Sequence, residues 1–95
     1  MKLKTYVVFW NQENNMGFSM LPFGKSSLRV NASDQSDACE KALIILSQMI
    51  PCQYKYMRCN GKVAEDGSFY IEIVNTEEND FIGKIFDFKA LETTL

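Results

Sequence analysis

S-D-Q-S-D-A-C-E-K-A-L-I-I-L-S-Q-M-I-P, residues 33–51, is the stretch on which the fold turns. Ala38, Ala42, Ile45, Leu46 and Met49 recur at spacings of three and four, with Cys39, Leu43 and Ile50 widening the stripe. That period places them on one face of an α-helix. Ser33 reads as its N-cap, with Asp34 and Asp37 in the first turn, where carboxylates complement the helix dipole. Pro51 is expected to stop it, so the spacing predicts a helix over about residues 34–49. A helix with one apolar stripe must bury that stripe against something, and every other structured segment here reads as a strand.

Before the helix, residues 2–10 form an expected strand, since Thr5, Tyr6, Val7, Val8 and Phe9 are β-branched or aromatic; it should be central in the sheet. Residues 11–16 are polar and closed by Gly17, which predicts a turn, with a short return strand over 18–21 ended by Pro22 and Gly24. Residues 28–32 resume extended structure, with Leu28 and Val30 on one face and Arg29 and Asn31 on the other. After the helix, residues 53–59 alternate, and 68–74 read as a strand with Phe69, Ile71 and Ile73 inward. Between them stand two hairpin signals, Asn60-Gly61 and Asp66-Gly67, and the sequence leaves that choice open. Residues 75–80 are an acidic loop, 81–88 a last strand, and 89–95 read as a loose tail.

One helix against one antiparallel sheet of four to five strands is an α+β two-layer sandwich. At 95 residues the chain fits a single domain spanning 1–95 with one core. No repeat or linker suggests a second domain. The apolar stretches are far shorter than the ~20 residues of a membrane-spanning helix, which points to a cytoplasmic protein with no membrane partner. Three cysteines, Cys39, Cys52 and Cys59, give an odd count with no close pair, which argues against a disulfide framework.

Chemistry-bearing motifs are scarce. Gly24-Lys25-Ser26 lacks the earlier glycine of a phosphate loop, because Ser19 stands there, and a strand rather than a helix is expected to follow. The chain has no histidine, the commonest general base and metal ligand near neutral pH. Cys59 beside Arg58, and Cys52 after the helix, are the two thiols whose placement invites a nucleophile reading, and both fit as packed side chains. The expectation is a non-enzyme with no cofactor and no metal.

Charge is distributed unevenly. Residues 65–95 hold eight carboxylates, Glu65, Asp66, Glu72, Glu77, Glu78, Asp80, Asp87 and Glu92, against Lys84 and Lys89. Residues 1–33 hold Lys2, Lys4, Lys25 and Arg29 against Glu13. An acidic surface made of Glu65, Asp66, Glu72, Glu77, Glu78, Asp80 and Asp87 can occupy a basic groove that normally holds nucleic acid, with electrostatic steering raising the on-rate. Such a surface is continuous only if Glu72 or Asp87 bridges the two acidic turns. A second candidate is a sheet face with Tyr54, Tyr56 and Arg58, joined by Tyr6, Trp10 and Tyr70 on neighbouring strands. Aromatics interleaved with cations can stack bases or anchor a protein interface.

Two resemblances follow from these residues. The segment from Tyr6 through the Asn14-Asn15 turn to Gly17, Leu21-Pro22, Ala32, Asp37-Ala38 and Lys41-Ala42-Leu43 is similar to the sheet-then-helix half of HicB-type antitoxins. Residues 23–31 depart from that family's shorter Pro-Gly turn, and no DNA-binding segment follows. In size, element order and charge the whole chain resembles small phage-encoded anti-CRISPR proteins. Both resemblances imply a small protein that neutralises a larger partner by occupying its surface. The expected function is therefore a non-catalytic inhibitor, encoded by a phage or mobile element, of a host protein or ribonucleoprotein complex that processes nucleic acid. The alternative is an RNA-binding module or antitoxin domain using the Tyr/Arg face. Exposed sheet edges leave a homodimer open.

Overall fold

The computed structural model describes residues 2–14, 27–53 and 56–93. The elements follow in the order β1 (Lys4–Asn14), β2 (Ser27–Ala32), α1 (Gln35–Gln53), β3 (Met57–Val63), β4 (Phe69–Asn75) and β5 (Phe81–Thr93). The five strands form one antiparallel sheet in the order β2-β1-β5-β4-β3, with α1 packed on one side, the expected α+β arrangement. The chain makes the β1–β2 pair, crosses the sheet through α1 to the far edge, and returns by the β3-β4-β5 meander to lie beside β1.

Alternation decides which side chains meet the helix. Tyr6 and Val8 of β1, Val30 and Ala32 of β2 and Ala90 of β5 pack with Ala38 and Ala42, where small helix residues bring the two layers close. Trp10, Ile71, Ile73, Ile82 and Ile85 pack with Leu46 and Ile50 nearer the helix C-terminus. The stripe read from sequence holds for Ala38, Ala42, Leu46 and Ile50, which are buried, but Ile45 is exposed.

Helix α1 begins one residue later and ends four residues further on than its sequence suggests. Asp34, not Ser33, caps it: Asp37 N donates to Asp34 Oδ1 at 2.8 Å, and Asp37 Oδ2 accepts from Ser33 N at 3.0 Å. Pro51 lies inside the last turn instead of stopping the helix. Proline disfavours helical backbone at the residue before it. Ile50 is that residue, and its complete burial against the β4–β5 core outweighs the preference.

The strand boundaries differ in three places. β1 runs on to Asn14 where a turn was expected, because its second half pairs with residues 83–86 of β5. The expected return strand over 18–21 lies outside the described residues. Of the two hairpin signals, Asp66-Gly67 makes the turn, with Gly67 at φ 87°, while Asn60 and Gly61 sit mid-strand opposite Glu72 and Ile71. Finally, residues 89–93 are no loose tail. Lys89, Ala90, Leu91, Glu92 and Thr93 pair in register with Phe9, Val8, Val7, Tyr6 and Thr5 at the centre of the sheet.

That last pairing depends on a bulge. Ile85 faces the helix, and so do Phe88 and Ala90, an odd step of three residues that a regular strand cannot make. Between Phe9↔Lys89 and Asn11↔Phe86, β5 carries one residue more than β1, and Asp87 takes the left-handed backbone at φ 55°. The extra residue inverts the side-chain alternation of β5. Phe88 thereby turns inward to meet Trp10, ring centroids 6.2 Å apart.

Candidate binding surfaces

The two acidic turns are built differently. In the β3–β4 turn, Asp66 Oδ1 accepts from Ser68 N at 3.0 Å and from Ser68 Oγ at 2.6 Å. Those hydrogen bonds hold the Asp66 carboxyl below its usual range and commit it to shaping the turn. In the β4–β5 turn the same work falls to Asn75, whose Oδ1 accepts from Glu77 N at 2.8 Å and Glu78 N at 3.3 Å. Its backbone closes the loop, with Asn79 N donating to Asn75 O and Asn75 N donating to Asp80 O, both at 2.8 Å. Asn79 adopts φ 57°, and its Oδ1 accepts from Arg58 Nη2 at 2.9 Å. The side chains of Glu77, Glu78 and Asp80 are exposed and make no hydrogen bond or ion pair among the described residues.

These turns lie at opposite ends of β4, a seven-residue strand. That is about 20 Å at ~3.3 Å per residue. Glu72 sits half-buried between them with Lys84 as its β5 partner and Asn60 as its β3 partner. Asp87 is at the β1–β5 bulge, where Asn11 Nδ2 donates to its Oδ2 at 3.1 Å. A lysine therefore interrupts the path that would join the turns, and the acids form separate patches rather than one rim.

The aromatic face expected from sequence is divided by the sheet. Tyr6 and Trp10 are 4% and 7% exposed beneath α1, because even-numbered positions of β1 point toward the helix. They cannot share a surface with Arg58 and Tyr70, which lie on the opposite face. Tyr54 lies outside the described residues. Tyr56 is exposed, and its carbonyl accepts from Thr76 N at 2.9 Å.

The helix-free face joins Tyr70 and Arg58, both singled out from the sequence, to residues that were not. Phe9 of β1, Phe86 of β5 and Tyr70 of β4 lie there with Arg29, Arg58, Lys62, Lys84 and Lys89. Lys84 Nζ rests 4.9 Å from the centre of the Phe86 ring. Against these five cations stand Glu13 and Glu72, with Asp87 engaged at the bulge. The chain is acidic overall while its open sheet face is basic. The signal in the sequence was the alternation Lys84-Ile85-Phe86, legible only once residues beyond Asp87 are known to continue the strand.

The cysteines are separated as well. Cys59 packs toward the helix, and burial pushes its thiol up to about 11. Arg58 cannot counter this, since the neighbouring strand position points to the other face. Burial also pushes the Cys39 thiol up, while Cys52 is exposed on the last helical turn. Cys39, Phe69 and Phe88 line a groove of about 300 Å³ between α1 and the tip of the β3–β4 hairpin. Among the described residues no three His, Cys, Asp or Glu side chains are placed to hold a metal ion, and no helix is long and apolar enough to cross a membrane. Comparison of the chain with protein-family models, curated proteins and solved structures found no match.

Proposed function

We propose that this protein is a small non-catalytic inhibitor that binds a larger nucleic-acid-processing protein or ribonucleoprotein, presenting the β4–β5 turn to a basic groove of that partner. The observation that supports the reading is the construction of that turn. Asn75 and the Arg58–Asn79 bond hold its backbone, leaving the carboxylates of Glu77, Glu78 and Asp80 free for a partner. A rigid loop loses little conformational freedom on binding, so its charges add to affinity with a small ordering cost.

Carboxylates on a fixed loop can take the positions of successive phosphates and displace a strand from a positively charged channel. A phage-encoded blocker of a CRISPR-type complex is one protein of this kind. The turn containing Glu65 and Asp66, about 20 Å away, contributes a second and separate acidic contact.

The test is capture from bacterial lysate with the purified chain as bait, the partner identified by mass spectrometry, followed by affinity measurement. Reversing Glu77, Glu78 and Asp80 to lysine should weaken binding at least tenfold and reduce its dependence on salt. Unchanged affinity in a folded triple variant defeats the reading.

A further inference from the structure

We infer that the helix-free face of the sheet is a binding platform for single-stranded RNA, a site distinct from the acidic turn and independent of it. Three observations place the required groups together. First, the alternation of β1, β4 and β5 puts Phe9, Phe86 and Tyr70 on this side, and Phe9 is 42% exposed. Tyr70 and Phe86 each stand one residue beyond the Ile71↔Ile85 pair, where the β4–β5 ladder ends, so both lie at that end of the same face. Second, Lys62 is the register partner of Tyr70, Lys89 is the partner of Phe9, and Lys84 lies against Phe86. Each ring thus has a cation beside it, and none of the three lysines is within ion-pair distance of a carboxylate among the described residues.

Third, the aromatic rings follow a line across the strands, from β4 over β5 to β1. Bases have flat faces that stack on such rings, and the phosphates between them need a cation at each step. A duplex hides its base faces and fits this surface poorly. Asn60 is two residues from Lys62 on the same face of β3, and its amide makes no hydrogen bond among the described residues. It supplies the donor and acceptor that a ribose 2′-hydroxyl can take. Glu72 and Glu13 flank Lys84 in register and confine the phosphate path to the Lys62 and Lys89 sides of the face.

The experiment is fluorescence anisotropy of the full chain with a labelled twelve-nucleotide oligouridylate, beside the matching oligothymidylate and an RNA duplex. Binding of the RNA strand should weaken about twentyfold between 50 and 200 mM salt if some three phosphates are neutralised. Lys62→Glu with Lys89→Glu should abolish it, and Phe9→Ala should weaken it about tenfold through lost stacking. The Lys62→Gln, Lys89→Gln pair repeats the test without charge reversal, and circular dichroism verifies that each variant is folded. Reversal of Glu77, Glu78 and Asp80 should leave RNA binding intact or tighten it, so loss of the inhibitor reading does not remove this one. Absence of salt-dependent binding at high micromolar protein, preference for the duplex or for the DNA strand, or full binding by the folded lysine variants would each overturn the assignment.

Discussion

Asn11 and Asp87 meet across the β1–β5 seam, the amide of one donating to the carboxylate of the other at 3.1 Å. The contact fastens the place where β5 takes its extra residue. Because Asp87 holds φ 55°, a β-branched side chain there is strained, while glycine or asparagine is accommodated. Asp87→Val should lower stability by about 1–3 kcal/mol, measured by urea unfolding. Asp87→Asn should stay within about 0.5 kcal/mol of the parent. Deleting Asp87 removes the one residue by which β5 exceeds β1, so Phe9↔Lys89 and Asn11↔Phe86 stay in register and Phe88 and Ala90 still face the helix. The deletion variant should therefore keep a cooperative unfolding transition, and failure to fold would refute the bulge argument.

Helix α1 offers a paired test at neighbouring residues. Ile50 is fully buried, so Ile50→Ala should cost about 2–5 kcal/mol. Pro51 is exposed in the last turn and has no N–H for the helix. Pro51→Ala restores that donor but enlarges the unfolded ensemble, and the two effects oppose each other to within about 1 kcal/mol. A large loss at Pro51 and a small one at Ile50 would mean that the proline, not the burial, positions the turn.

Much of the fold was legible because it rests on local periodicity. The stripe from Ala38 to Leu46 and the inward Ile71 and Ile73 follow from spacing alone. The unread parts share one cause, which is that pairing between distant segments overrode local signals. Residues 89–93 carry Lys89, Glu92 and Thr93 and resemble an exposed end, yet β1 recruits them into the middle of the sheet. Asn60-Gly61 is a strong turn signal, yet β4 pairs with it and Leu43 packs above, its Cδ2 3.7 Å from where a Gly61 Cβ would stand. The candidate aromatic face failed for the same reason. A strand of aromatics does not reveal which alternate set the helix covers, and Tyr6 and Trp10 belong to the covered one.

The N-terminal cap gives the chain a defined acid response. Asp37 is held below the usual carboxylate range, first by the Ser33 backbone N–H and then by Lys41, whose Nζ is 3.4 Å from Oδ2. A carboxyl lowered in the folded state contributes stability that is present above its unfolded value, about 3.9, and lost as pH falls through the folded value. Asp37→Asn should therefore reduce stability at neutral pH and flatten its decline on acidification. If the parent and the variant lose stability in parallel below pH 4, the cap is not the titrating group.

The thiols should react in a fixed order. Cys59 moves from 9.0 to about 11 through burial, which lowers its thiolate fraction about a hundredfold at neutral pH. Cys52 is exposed. In the folded protein a thiol-specific reagent should label Cys52 first, with Cys39 and Cys59 following only on the timescale of opening. Mass spectrometry of partially labelled protein reads the order directly. Rapid native labelling of Cys59 would contradict its position beneath the helix.

Trp10 carries the last prediction, since it combines the largest inward ring with an unmet donor. Its indole is 7% exposed, yet Nε1 has no hydrogen-bond partner among the described residues. A buried donor without a partner costs about 1–3 kcal/mol. Trp10→Phe removes that donor while losing ring area against Phe88, Ile82 and Ile85, and the two changes should nearly cancel, leaving stability within about 1 kcal/mol of the parent. Trp10→Ala removes the packing and fills nothing, so it should cost about 3–5 kcal/mol. As the chain's one tryptophan, Trp10 also reports its own environment, with native emission blue-shifted from the unfolded state. A Trp10→Phe loss as large as that of Trp10→Ala would show that the indole N–H is bonded after all, and that the core at this point is held by polarity as well as by packing.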